Sequence, residues 1–131
     1  MKEKILIENG MIIDGTGSKE YFDTVLLENG LIASIGKEAE KFSGDNEIKK
    51  INALGKTVMP GLIDAHCHIT FDEPSSNDEL FFHRRQALSA IIAGHNAHKV
   101  LLAGVTSFCD PDSLFEIGID LRDAINSGYI E

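Results

Sequence analysis

A chain of 131 residues, 43% of them hydrophobic, has room for one ordinary domain or two small pieces, and is too short for a large enzyme barrel. Its 21 acidic against 12 basic residues, a formal charge of −9, oppose nucleic acid phosphates and anionic membrane surfaces, so neither is expected as a partner. No apolar run approaches the roughly 18 residues of a membrane span, and the start, Met1 to Ile5, lacks the apolar core of a signal peptide; a cytoplasmic chain is expected.

In chain order, residues 1 to about 59 read as short strands and tight turns. Asn9-Gly10 and Asn29-Gly30 each sit between apolar runs, the pattern of a hairpin with a type I′ turn, so two stacked hairpins are predicted. Gly15-Thr16-Gly17-Ser18 reads as a loop without a ligand, because the spacing and following helix of a phosphate-binding motif are missing. Lys37 to Glu47 is charged and expected to be exposed. A strand from Glu47 to Asn52 leads through the turn Ala53–Lys56 to Val58, and Pro60-Gly61 separates the β-layer from the remainder of the chain.

The stretch Val58 to Ile69 carries the chemistry. Read as a strand, it places Asp64, His66, His68 and Thr70 on one face and Ile63, Ala65, Cys67 and Ile69 on the other. Two imidazoles at i and i+2 with a carboxylate behind them suit a divalent metal; a strand with two solvated histidines has the same spacing. Cys67 and Cys109 lie far apart without a Cys-x-x-Cys pair and are expected to be reduced, small apolar side chains.

Phe71 to Asn77 reads as a polar loop, and Ser76-Asn77-Asp78-Glu79 has capping-box spacing. The period predicts one helix from Asp78 to about Ala103 with Phe81, Leu88, Ile91, Ile92 and Leu102 on its apolar side, ended by Gly104. His95 and His98 are expected to pack or make structural hydrogen bonds, and His83 to be exposed. Val105 to Asp110 is a predicted strand. Pro111-Asp112-Ser113 opens a second helix with Ile119, Leu121, Ala124 and Ile125, stopping near Ser127-Gly128. Strand, helix, strand, helix argues for parallel strands with helical crossovers.

The run Pro60-Gly61-Leu62-Ile63-Asp64-Ala65-His66-Cys67-His68, with Ala103-Gly104-Val105-Thr106-Ser107 and Leu121-Arg122-Asp123-Ala124-Ile125, resembles the N-terminal third of a metal-dependent hydrolase of the amidohydrolase superfamily, and within it the imidazolonepropionase-related group and the Xaa-Pro dipeptidases. The resemblance implies an α/β fold with an all-β N-terminal part: residues 1–59 as half of a small composite β-sandwich, and residues 60–131 as the first β/α units of a (β/α)8 barrel. It implies that His66 and His68 are metal ligands, that the cofactor is one or two divalent ions, zinc foremost, and that the substrate is a small molecule with a hydrolysable C–N bond. Asp64 corresponds to an orienting or structural carboxylate. Asp110 falls where the second barrel strand ends, where it either contacts substrate or leads the next helix. Catalytic residues of later strands find no counterpart in this chain, so alone it is expected to be inactive. A non-catalytic module that binds metal or self-associates through open sheet edges is the competing expectation.

Overall fold

The computed structural model of the protein describes residues 3–72 and 74–130; Met1, Lys2, Glu131 and Glu73, the last within the predicted polar loop, lie outside them. The chain divides after Pro60 into two units.

Among the described residues, the first unit is one sheet with a single short helix. Strands β1 (Lys4–Ile12), β2 (Tyr21–Glu28), β3 (Leu31–Ile35) and β4 (Lys49–Asn52) lie in the order β3-β2-β1-β4. β5 (Thr57–Val58) also pairs with β1, beyond the stretch that β4 occupies. Asn29 and Gly30 both take positive φ, 53° and 77°, as a type I′ turn demands, and they close the predicted β2–β3 hairpin. The first Asn-Gly does something else. Asn9 alone is left-handed, at φ 62°, and the register of β1 against β2 shifts between Ile7 and Gly10, so the strand bulges and runs on where a hairpin was predicted. Gly10 is required by close approach: a Cβ there would lie 2.5 Å from the Val58 side chain on β5.

Leu6, Leu26 and Ile48 pack under Ala39 of α1 (Lys37–Glu40), and together they form the buried core of this unit. The predicted exposed segment 37–47 is therefore anchored at Ala39, which is fully buried. The opposite sheet face, with Ile7, Val25, Leu27, Ile32, Ile35 and Val58, lines an open apolar groove.

In the second unit β6 (Leu62–Asp64) and β7 (Val105–Phe108) run parallel, connected through α2 (Gln86–Leu102), and α3 (Ile117–Asn126) comes after β7. Ile69, Ala93, Ala97, Ile117 and Leu121 make the core. The predicted single helix from Asp78 is two pieces: a π-helical turn at Glu79–His83, then α2, separated by Arg84 and Arg85 in extended conformation. The Arg84 guanidinium donates from Nε and Nη2 to both oxygens of Glu79, each at 2.9 Å, five residues back, and this bidentate pair holds the break.

The buried side of α2 is also not the one expected. Small and polar residues, Ser89, Ala93, Asn96 and Ala97, face the core, while Ile91 and Leu102 are 71% and 75% exposed and Phe81 and Leu88 are exposed too. His95 and His98, expected to pack, are exposed as well; His83 is exposed as predicted, 2.9 Å from Asp78. Gly104, at φ 89°, ends α2 as predicted, and Gly128, at φ 73°, lies just past α3. Among the described residues no helix is long and apolar enough to cross a membrane.

Candidate metal centre

The β6 strand stops at Asp64, two residues short of the first histidine, so the strand alternation expected through His68 does not operate. Residues 65 and 66 bend away, and the chain returns at Cys67, whose N–H donates to the Cys109 carbonyl while the Cys109 N–H donates to the Asp64 carbonyl, both at 2.9 Å. This kink beside the end of β7 turns the two imidazoles toward each other. Their Nε2 atoms are 3.1 Å apart.

That separation is close to the roughly 3.3 Å between two nitrogens at zinc–nitrogen distances of about 2.0–2.1 Å and a tetrahedral angle. It is also the length of an N–H···N hydrogen bond between neutral rings. The surroundings of His68 bear on which nitrogen keeps its proton: Nδ1 lies 3.4 Å from the Asp112 carbonyl oxygen, an acceptor only, which favours Nδ1–H and leaves the Nε2 lone pair free. The His68 ring stacks on Phe71, centroids 4.7 Å apart and planes at 11°, and Phe71 in turn meets Phe81 edge-on. The donor set thus fits part of a metal site. Among the described residues no group of three or more His, Cys, Asp or Glu is gathered to complete one.

The other candidates fall beside this pair. Asp64 is exposed, and its Oδ1 accepts the His66 backbone N–H at 3.1 Å, which holds the bend. Asp110 points its carboxylate toward the first turn of α3, where a Cβ on Gly118 would lie 3.6 Å from Oδ2. Both Asp110 oxygens are buried, and among the described residues neither has a hydrogen-bond partner. Cys67 and Cys109, remote in sequence, are brought together by the Cys67 N–H to Cys109 carbonyl hydrogen bond just past the strand ends, and both are free thiols. Burial, then the carboxylates of Asp64 and Asp110, push the Cys67 thiol above its ordinary 9.0, so it stays protonated at neutral pH.

Sequence reasoning passed over Asn96. Its signal was present: with Ser89, Ala93 and Ala97 it forms a small-residue stripe at helical spacing, which is the buried stripe of α2.

No family model matches the chain. Dihydroorotase from Acetivibrio thermocellus is 42% identical over 65 residues, 50% of this chain and 14% of that protein. Enamidase from Eubacterium barkeri is 44% identical over 71 residues, 51% of this chain and 18% of that protein. A crystal structure of a Xaa-Pro dipeptidase with bound methionine superposes over 98% of this chain and 31% of its own, with TM-score 0.83 and 28% identity. The chain therefore spans under a fifth of the length of these curated relatives and under a third of that structure.

A β-rich first unit and then a parallel strand–helix–strand unit, with a His pair just past its first strand, defines a mixed α/β chain. These likenesses support a place for the chain in the amidohydrolase superfamily.

Proposed function

We propose that this chain is one part of a longer metal-dependent amidohydrolase, and that His66 and His68 contribute two ligands to its divalent ion. The observation that carries the reading is the convergence of the two Nε2 atoms at 3.1 Å with the Asp112 carbonyl placed to hold the His68 tautomer. Position supports it too, because in barrels of parallel strands the chemistry collects where strands end, and both rings lie just past the end of β6 beside the end of β7. On this reading residues 61–130 supply the first β/α units of a (β/α)8 barrel, and residues 3–60 supply one layer of a small β-sandwich.

A divalent ion held there would supply Lewis acidity toward water and toward a substrate carbonyl. The residues of this chain hold and orient: His66 and His68 offer nitrogen lone pairs, the Asp112 carbonyl holds the His68 proton on Nδ1, and Phe71 covers one face of the ring. The relatives named dihydroorotase, enamidase and Xaa-Pro dipeptidase support a C–N bond in an amide, dipeptide or cyclic amide as the target of the whole protein. Proton transfer and substrate selection fall to the rest of that protein. Two free cysteines and an acidic composition support a reducing, cytoplasmic setting.

Zinc titrated into the chain by calorimetry tests the reading. We expect binding that disappears in the His66→Ala/His68→Ala double variant. Equal heats from both proteins would remove the His pair as a metal site. Imidazole also suits iron, nickel and copper, so the same titration with each ion ranks them.

A further inference from the structure

We infer that Asn96 of α2 is a positioning residue for His68, acting through the turn His68–Phe71. The inference rests on the proposal that His68 binds metal, and it concerns how that ring is held. Asn96 is only 7% exposed. Its side-chain Nδ2 donates to two backbone carbonyls, Ile69 at 3.0 Å and Phe71 at 2.7 Å, which flank Thr70. Both contacts are carbonyl oxygens, so the atom facing them is the NH2; the opposite orientation would set three acceptors against one another.

The turn has no loose carbonyl. The His68 carbonyl accepts the Phe71 N–H at 3.0 Å, Asn96 satisfies the carbonyls of residues 69 and 71, and Arg84 Nη1 reaches the Thr70 carbonyl at 3.5 Å. Thr70 is fully buried, and its Oγ1 accepts the Leu114 N–H at 3.2 Å, which ties the same turn to the segment carrying Asp112. The consequence lies at the ring. Phe71, whose backbone Asn96 grips, is the residue stacked on His68, and Asp112, two residues before Leu114, presents the carbonyl 3.4 Å from His68 Nδ1. Both groups that set the orientation of His68 are therefore fixed to a frame that Asn96 closes. Only a short side chain with two hydrogens on one nitrogen can serve both carbonyls from this helix position; Asp has the shape and no donor.

The test is Asn96→Asp, with Asn96→Ser as a second variant that removes the paired donors without adding charge. Two readouts are taken on each: nitrogen-15 and proton NMR of the His68 ring without metal, and zinc titration by calorimetry. In the unsubstituted chain the stacked Phe71 should shift the His68 ring protons upfield, with Nδ1 protonated. The variants should lose that shift, and zinc should bind about 10–100-fold more weakly, the usual cost of removing a group that orients a ligand, while the Ala93 and Leu121 methyl signals stay in place. A folded variant whose His68 signals and zinc affinity match the parent would overturn the inference, as would Asn96→Ser behaving like the parent when Asn96→Asp does not fold. Should the unsubstituted chain bind no zinc, the metal reading fails, and the His68 ring signals still decide whether Asn96 positions that ring.

Discussion

Glu79 and Arg84 show how a single ion pair shapes the backbone that leads to the site. The guanidinium is 5% exposed and the carboxylate 34%, and the pair spans the break between the π-helical turn and α2. Hydrogen bonds from Arg84 hold the Glu79 carboxyl below its ordinary 4.5, outweighing the opposing effect of burial. A carboxylate with a depressed native pKa contributes stability that is complete above 4.5 and lost as pH falls through the lower native value. Thermal unfolding monitored from pH 7 down to 3 should therefore show a steeper acid loss in the parent chain than in Glu79→Gln, which starts less stable and has no such group to protonate. Parallel curves would mean that the pair contributes nothing. The same pair was invisible in the sequence, where Arg84 and Arg85 interrupt no hydrophobic period; only their extended conformation ends the turn.

At the scale of elements, the β6–β7 pair decides where the histidines emerge, and Gly61 is the residue that allows the two strands to close. A Cβ at Gly61 would overlap the Thr106 side chain, its Cβ included, so Gly61→Ala should cost about 1–3 kcal/mol, the usual range for overpacking. Adding Thr106→Ala should recover part of it. Equilibrium urea unfolding measures both, and a neutral Gly61→Ala would show that this pair of strands has room to spare. The Pro60-Gly61 break is legible as a boundary in the sequence, yet its second purpose, close approach across the strand pair, depends on Thr106, which stands 45 positions later. In α2, similarly, the apolar period marks a helix correctly and the wrong face as buried: the core takes Ala93, Asn96 and Ala97 because α2 packs close to α3 and Ile69, where small side chains fit.

For the whole molecule, the exposed apolar groups call for cover. Ile32, Ile35 and Met59 line the open groove of the first unit, and Ile63, Ile91 and Leu102 stand out from the second at 71–75% exposure. A contiguous apolar groove such as that of the first unit marks an interaction site or an association liability. The chain on its own should therefore self-associate, with sizing-column elution that moves to larger size as concentration rises and a smaller shift for Ile32→Lys. A sharp, concentration-independent monomer peak would oppose this.

What the sequence by itself determined is local. The type I′ turn at Asn29-Gly30, the end of α2 at Gly104, the Ser76 hydroxyl accepting the Glu79 N–H at 3.1 Å, and the His-x-His pattern with its family resemblance all arise from residues within a few positions of one another, where backbone sterics and side-chain reach leave few choices. Tertiary structure decided the rest. Asn9-Gly10 became a bulge because β4 and β5 both pair with β1, and a strand bonded on that edge runs on past the left-handed residue. The two histidines meet through a kink held by Cys109, 41 positions beyond His68. Asn96 reaches the turn behind them across 25 and 27 positions. Contacts at such separations have no periodicity or spacing to announce them, since they exist only once the helix has been laid back against the strands.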